Sequence, residues 1–168
     1  MDANASGDSP SVRILGTDGR NQGIRLHGKV TALTGSSIGS VIWLRRVSGP
    51  NGKSADYRLF LGAGESPVVA IQHDDRALAQ ESETLTFIRP EPVLKPGDEY
   101  DMELYAISGK LIARFNGRPL AEVTDTRLTE GYMGIQSKHL IRDVEVINLD
   151  GLSEAEARKV VGKEGNDE

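Results

Sequence analysis

The sequence predicts an all-β fold: a two-sheet antiparallel sandwich of the jelly-roll type, followed by one short helix near the C-terminal end. The first observation behind this prediction is a repeated alternation of apolar and polar residues, which is typical of strands with one buried face. The second is the 19 glycines among 168 residues, which suit the many turns of an antiparallel chain. The third is a change to a helical pattern after residue 150.

The clearest alternation lies between residues 99 and 148. Its alternating apolar residues are Tyr100, Met102, Leu104 and Ala106 in one segment and Leu111, Ala113 and Phe115 in the next. Gly109 between these segments and the later pair Asn116-Gly117 predict tight hairpin turns, because glycine adopts a positive φ without strain. Two more strands are predicted at 131–136 and 140–147. This meander has an apolar face that needs a second sheet to cover it.

The chain before residue 99 supplies the strands for that second sheet. Strand patterns lie at 12–15, 24–31, 40–46, 56–61, 68–72 and 83–89. The segment 40–46 is apolar on both faces before it reaches two arginines, which favours a strand in the middle of the sandwich. Pro90, Pro92 and Pro96 exclude a central strand between residues 90 and 97.

One domain is expected at this length, with short segments at either end. We predict a disordered tail at residues 1–10, a β-sandwich domain at 11–150, a short helix at 151–162 and a charged tail at 163–168. The first tail is small and polar and cannot bury a core face. The helix prediction depends on Ser153 and Glu156, which have the spacing of a capping box.

Composition excludes several classes of function. A net charge of −5 and a pI of about 5.3 argue against nucleic-acid binding, which requires clustered Lys and Arg. The chain has no cysteine, so it has no disulfide, thiolate metal site or cysteine nucleophile. The sequence shows no apolar segment of membrane-spanning length and no signal-peptide core at its N-terminus. A domain excised from a longer secreted or anchored chain would also look like this.

The segment 99–148 resembles part of a known family. Its elements are, in order, a strand ending in Asn116-Gly117, a Gly-rich strand ending in Ile135-Gln136, and the segment Ile141-Arg142-Asp143-Val144-Glu145-Val146. This order resembles the C-terminal half of the 3-keto-disaccharide hydrolase family, formerly a domain of unknown function. It also resembles sandwich modules attached to bacterial protein kinases. The resemblance implies a concanavalin A-like, laminin-G-like jelly roll of the lectin/glucanase type. It covers residues 20–150 approximately, and its specific motifs lie in 99–148.

The resemblance implies a polar pocket with three matching residues. Arg45 matches the arginine of the family's central strand, where Ser40 to Arg45 follow its pattern, while Gln136 and Arg142 match later motif positions. Three positions depart from the family, and each departure falls on the pocket. Ile38-Gly39 stands in place of an asparagine, Arg58 in place of an acidic residue, and Lys138 in place of a histidine, with His139 one position later. The pattern therefore predicts a retained sandwich with an eroded catalytic site, in which His139 and Gln136 are the candidate catalytic residues.

A metal site is a second possibility. His73-Asp74-Asp75 is the most polar short cluster, and adjacent carboxylates can bind a hard cation through oxygen ligands. We name Asp74 and Asp75 as candidate ligands of calcium. The alternative is a solvated turn. The three histidines, His27, His73 and His139, lack the spacing of a zinc site.

Candidate ligand-binding residues lie on the predicted central strands. Arg45, Arg46 and Arg58 could form a basic patch that takes an anionic ligand, or an ordinary solvated face. Tyr57 is a strand aromatic that could contact a saccharide beside Arg58. Trp43 lies in an apolar run, which favours a buried core residue.

We therefore expect a non-catalytic module that recognises a saccharide or cell-envelope glycan, with Arg45, Tyr57, Arg58, Gln136 and Arg142 as its ligand-binding residues. It is expected to lie outside the cytoplasm or at the cell surface, fused to or docked on a larger protein. One alternative is an enzyme, a hydrolase or lyase of 3-keto sugars. Such an enzyme needs a general base, and the departures described above remove the matching acid. Another alternative is a sandwich that binds proteins through its edge strands.

Overall fold

The computed structural model of the protein describes residues 12–14, 18–31, 38–50, 52–77 and 81–162. These residues form twelve strands and one helix. The strands are β1 (Val12–Arg13), β2 (Gln22–Lys29), β3 (Ile38–Ser48), β4 (Ser54–Gly62), β5 (Val69–Asp75), β6 (Glu81–Ile88), β7 (Glu99–Ile107), β8 (Lys110–Phe115), β9 (Arg118–Pro119), β10 (Val123–Thr124), β11 (Tyr132–Ser137) and β12 (Leu140–Asn148), and the helix is α1 (Glu154–Gly162). The predicted tails at 1–10 and 163–168 lie outside the described residues.

The strands form two antiparallel sheets, which confirms the predicted sandwich. Sheet A has the strand order β1-β11-β3-β4-β5-β6. Sheet B has the order β10-β8-β7-β2-β12, with β9 paired to β8. The predicted meander is divided between the sheets, because β11 crosses over to pair with β3 while β12 pairs with β2. Such crossings are typical of jelly rolls, in which consecutive strands alternate between sheets.

The core lies between the sheets and is built from alternate residues of each strand. Ile42 and Leu44 of β3 face Leu104 of β7 and its neighbours across this space, and all three are fully buried. On β4 the inward residues are Tyr57, Leu59 and Leu61. This period of two fixes the register, since a slip by one residue would bring the polar neighbours inward.

Two predicted turns have the geometry that their residues suggest. Ser108 and Gly109 both have positive φ values, 47° and 79°, between β7 and β8. Asn116 and Gly117, with φ values of 48° and 76°, connect β8 to β9. Positive φ at both central residues is the geometry of type I′ turns, whose twist matches that of the flanking strands.

Helix α1 covers part of the outer surface of sheet B. Ser153 and Glu156 form the predicted capping box, with the Glu156 amide donating to Ser153 Oγ at 3.2 Å and the Ser153 amide donating to Glu156 Oε2 at 2.8 Å. The helix buries Ala157 and Val161 in a second cluster, whose other members are Tyr105, Ile107, Ile112, Ile147 and Leu149. No helix among the described residues has the length and apolar character needed to cross a membrane.

Candidate functional site

The most distinctive surface is the side of sheet A that faces away from sheet B, which we call the outer face. The strand register aligns its side chains in three rows that cross β11, β3, β4, β5 and β6. The first row is mostly apolar, the second is mixed and the third is mostly charged. The rows are Gln136, Val41, Phe60, Ala70 and Phe87; Gly134, Trp43, Arg58, Gln72 and Thr84; and Tyr132, Arg46, Asp56, Asp74 and Ser82.

A chain of ion pairs runs through the charged part of the outer face. Asp56 is fully buried and accepts hydrogen bonds from Arg46 Nε at 2.9 Å and from Arg58 Nε at 2.8 Å. Arg58 Nη2 donates to Asp56 Oδ2 at 2.9 Å and to Asp74 Oδ2 at 2.8 Å. Arg76 Nε lies 3.3 Å from Asp74. Because each carboxylate is shared by two arginines, these side chains hold one another in place. We call these five residues the arginine–aspartate network.

Trp43 lies beneath this network. Its ring faces the guanidinium of Arg46, whose central carbon is 3.6 Å from the ring centroid. Gly134 on the neighbouring strand makes room for the ring, because a Cβ there would lie 2.2 Å from Trp43 Cζ2. Trp43 Nε1 is buried and has no hydrogen-bond partner within the described part of the chain. The prediction of a buried tryptophan holds, but its ring packs on the outer face and not in the core between the sheets.

Aromatic surface borders the network on its apolar side. Phe60 and Phe87 both lie opposite Ala70 on the strands beside it. Phe87 is 53% exposed, which is high for a phenylalanine, while Phe60 is half-buried. The outer face therefore offers an accessible ring on the same side of the sheet as a set of fixed planar donors and acceptors.

Arg45 does not belong to this face. It adopts a left-handed conformation with φ of 51°, where the register between β3 and β4 shifts. Its buried guanidinium donates to the carbonyl of Arg20 from Nε at 2.8 Å and to the carbonyl of Leu128 from Nη1 at 3.0 Å. Burial lowers the pKa of this arginine below its usual value. The bonds make Arg45 a structural brace between loops, a role that differs from the predicted ligand contact.

Tyr57 points to the opposite side of β4 from Arg58. Its ring is fully buried in the core, and its hydroxyl donates to Asp125 Oδ1 and accepts from the amide of Leu128 at 3.0 Å. Burial, together with the hydrogen bond to Asp125, raises the pKa of Tyr57 well above its usual value. Tyr57 and Arg58 are neighbours in sequence, but strand geometry prevents them from contacting one ligand together.

The remaining predicted site residues lie at three separate places. Gln136 is on the outer face, in the first row, beside Val41. Arg142 is on β12 of sheet B, with its Nε 3.9 Å from an oxygen of Glu99. His139 lines a cavity of about 240 Å³ at one end of the sandwich, whose other walls include Val30, Gly62, Leu94 and Pro96. The structure thus brings Arg58 and Gln136 to one face and separates them from Arg45, His139 and Arg142.

The environment of His139 limits its chemistry. Its Nδ1 accepts a hydrogen bond from the amide of Thr31 at 3.2 Å, and the side chain is almost fully buried. Burial lowers the pKa of this imidazole, so the neutral form is favoured. Its cavity contains one carboxylate, that of Glu65, among the described residues that line it.

The candidate metal ligands point in different directions. Asp74 belongs to the arginine–aspartate network and is buried there. Asp75 is the next residue on β5 and points to the other side of the sheet, as does His73, whose ring packs 5.5 Å from that of Tyr57. Within the described ranges, no group of three or more His, Asp or Glu side chains is arranged to hold a metal ion.

Sequence reasoning overlooked Asp56, which is the centre of the network, and the ring of Phe87. The alternation Asp56-Arg58-Phe60 along β4 is the signal that could have indicated Asp56, because it places two opposite charges and an aromatic on one face. The pairing of Asp56 with Arg46, ten residues away, depends on a register shift that a pattern of residues does not reveal.

The fold is shared with several solved structures. No family model matches the sequence, and comparison with curated proteins gives no match. The chain is similar in structure to carbohydrate-binding module CBM66 from Bacillus subtilis, with a TM-score of 0.61, 11% identity, and coverage of 84% of this chain and 92% of that one. It is also similar to a doubly substituted form of human galectin-16, with a TM-score of 0.59, 12% identity, and coverage of 83% and 95%. A third similar structure is alginate lyase A1-II′, a member of polysaccharide lyase family 7, with a TM-score of 0.57, 16% identity, and coverage of 88% and 74%. These similarities establish the jelly-roll sandwich fold.

Proposed function

We propose that the protein is a saccharide-recognition module that binds its ligand on the outer face of sheet A. The observation that carries the proposal is the arginine–aspartate network, in which Arg46, Arg58, Asp56 and Asp74 are fixed by mutual hydrogen bonds on the same face as an exposed phenylalanine. Fixed donors lose little conformational entropy when a ligand binds, and this favours affinity.

The chemistry of the face suits a sugar. Sugar hydroxyls need planar donors and acceptors, which the guanidinium, carboxylate and amide groups of the second and third rows provide. The C–H surface of a pyranose ring needs an apolar partner, and the ring of Phe87 is the most exposed aromatic on this face. The names of the structural neighbours agree with the proposal. They are a carbohydrate-binding module, a galectin and an alginate lyase of a polysaccharide lyase family.

A binding role without catalysis fits the placement of the candidate catalytic residues. His139 lines a cavity at the end of the sandwich, whereas Gln136 is on the outer face. Arg45 directs its hydrogen bonds to backbone carbonyls. General acid–base catalysis requires such groups to be within reach of one substrate bond. No specific feature of the described residues favours the 3-keto-sugar hydrolase alternative.

The proposal includes two expectations about context that stay predictions. We expect the module to work outside the cytoplasm, at a cell surface, as part of a larger protein or docked on one. We also expect that a bound calcium ion would not use Asp74 as a ligand, because the carboxylate of Asp74 is already paired with Arg58 and Arg76.

Binding can be tested by titration calorimetry against a panel of plant, algal and bacterial cell-wall oligosaccharides. The test variant is Phe87→Ala, because this side chain is exposed and its removal leaves the core intact. The matched control is Leu140→Ala, which removes a comparably exposed apolar side chain at the start of β12 in sheet B. We expect at least one saccharide to bind the native protein and the control equally, and to bind Phe87→Ala at least about tenfold more weakly. Equal loss in both variants, or no binding by any saccharide, would refute the proposal.

A further inference from the structure

We infer that the outer face of sheet A selects acidic saccharides, whose uronate carboxylate is bound by Arg46 and Arg58. The inference deepens the proposed function and rests on it. The arginine–aspartate network contains three arginines, Arg46, Arg58 and Arg76, and two aspartates, Asp56 and Asp74. The network therefore carries one positive charge that no carboxylate within it neutralises.

The excess charge stands out against its surroundings. The protein as a whole has a net charge of −5. The other outward side chains of β3, β4 and β5 in the three rows are uncharged, and they are Val41, Trp43, Phe60, Ala70 and Gln72. The nearest acids on β6, Glu81 and Glu83, lie opposite Asp75 and His73, on the other side of the sheet. Within these rows of β3, β4 and β5, Asp56 and Asp74 are therefore the acids that face the arginines; beyond β3, Asp18, Glu130 and Asp150 line a pocket with Arg46.

The hydrogen bonds leave specific donors available. Arg58 uses Nε and Nη2 for Asp56 and Asp74, and Arg46 uses Nε and Nη2 for Asp56. The Nη1 group of each arginine makes no hydrogen bond to the described residues. Both guanidinium groups bond to the single carboxylate of Asp56, which holds the Nη1 groups of both arginines in fixed positions on the outer face. Two fixed guanidinium amino groups are suited to a carboxylate, which accepts charge-assisted hydrogen bonds at both of its oxygens.

Partial burial strengthens these bonds. The side chains of Arg46 and Arg58 are 13% and 15% exposed. A carboxylate that reaches them displaces little water from the arginines, because most of their surface is already covered. Electrostatic attraction at such a site is stronger than between fully hydrated side chains. A neutral sugar could use the same donors through its hydroxyls, but with weaker bonds, since it lacks the charge.

The test compares sugars that differ only in charge. Trigalacturonate and its fully methyl-esterified form make one pair, and oligomers of glucuronate and mannuronate with their methyl esters make two more. Affinity is measured by calorimetry in low salt and again at physiological ionic strength. Fluorescence of Trp43 is a second readout, because Arg46 lies on its ring. We expect the acid of at least one pair to bind about ten- to a hundredfold more tightly than its ester. We also expect this preference to shrink as salt is added.

A charge variant separates local from general electrostatics. Arg76→Gln neutralises the excess charge at a side chain that is 71% exposed, so the fold is retained. Arg142→Gln removes the same charge from sheet B, where the side chain is 47% exposed. We expect Arg76→Gln to weaken binding of the acid about two- to fivefold and to leave binding of the ester unchanged, and we expect Arg142→Gln to change neither.

The possible outcomes distinguish the inference from the function on which it rests. If an ester binds as tightly as its acid, the inference fails and saccharide binding stands. If the two arginine variants weaken the acid equally, the preference reflects net charge and the inference fails. If none of the acids, the esters and the neutral saccharides of the wider panel binds at millimolar concentration, both the inference and the proposed function fail.

Discussion

Replacing Asp56 by asparagine removes the carboxylate that joins Arg46 to Arg58, and we expect the domain to lose several kcal/mol of stability. Asp56 is fully buried and accepts charge-assisted hydrogen bonds from both arginines at 2.8 to 2.9 Å. An amide of the same size keeps one acceptor oxygen but presents its NH₂ group to a guanidinium. Two cations then lie close together with no shared counter-charge.

The magnitude follows from burial. Breaking a buried ion pair by removing one partner costs about 3–5 kcal/mol, because the other charge stays buried without compensation. Arg46 and Arg58 keep 13% and 15% of their surface in contact with solvent, and Arg58 keeps Asp74 as a partner. Both facts place the expected loss at the lower end, about 3 kcal/mol. For a domain of this size that corresponds to a fall in Tm of about 6–12 °C.

Urea unfolding followed by circular dichroism measures this loss directly. The control is Asp18→Asn, which removes the same charge from an exposed pair with Arg13, where the two side chains are 62% and 50% exposed. We expect a change of about 0–1 kcal/mol in the control. A loss below about 1 kcal/mol for Asp56→Asn would refute the reasoning, because the network would then be an ordinary solvated surface.

Three further predictions concern the residues that the structure assigns to stability. Tyr57→Phe should lower the free energy of unfolding in urea by about 1–3 kcal/mol, since Asp125 and the amide of Leu128 lose a buried partner. The control Tyr132→Phe should change it by less than about 0.5 kcal/mol. Burial alone raises the pKa of Asp125, but hydrogen bonds from Arg127 and Tyr57 outweigh it and lower this pKa to about 2 from 3.8. The stabilisation by Asp125 is therefore complete above about pH 4 and lost as the pH falls toward about 2. The free energy of unfolding of Asp125→Asn should thus depend less on pH over that range than that of the native protein, and an equal dependence in both proteins would contradict this. Arg45→Lys should lower the free energy of unfolding by about 2 kcal/mol, because an ammonium cannot span the two carbonyls that the guanidinium joins, and it should leave saccharide affinity unchanged. If this variant instead lost affinity at unchanged stability, Arg45 would be a ligand-binding residue, as the sequence predicted.

Local features of the fold could be predicted from the sequence because they depend on neighbouring residues. The alternation from Tyr100 to Ala106 predicted strand β7, and Gly109 and Asn116-Gly117 predicted the two hairpin turns. The capping box of Ser153 and Glu156 predicted the start of the helix. Each of these signals acts within a few residues, where backbone preferences decide the outcome.

The site was harder to predict because its residues meet through the register of strands. Trp43 looks like a core residue since its neighbours are apolar, yet the alternation along β3 turns its ring outward beneath Arg46. Arg45 and Arg46 look like one basic patch, but the left-handed conformation of Arg45 sends their side chains to different places. The separation of Arg45 from Arg46 depends on a register shift between β3 and β4, which the sequence pattern does not indicate.

The central claim is that a saccharide binds on the outer face of sheet A, and chemical-shift mapping tests it most directly. The protein labelled with ¹⁵N is titrated with each member of the paired acidic and esterified oligosaccharides and of the neutral panel. For any saccharide that binds, we predict the largest shifts at the outward-facing residues of β3, β4, β5 and β6, Phe87 included, and at the indole N–H of Trp43, which is buried and unpartnered within the described chain. Shifts confined to the cavity beside His139 or to sheet B would contradict the account, as would the absence of shifts with every saccharide at millimolar concentration.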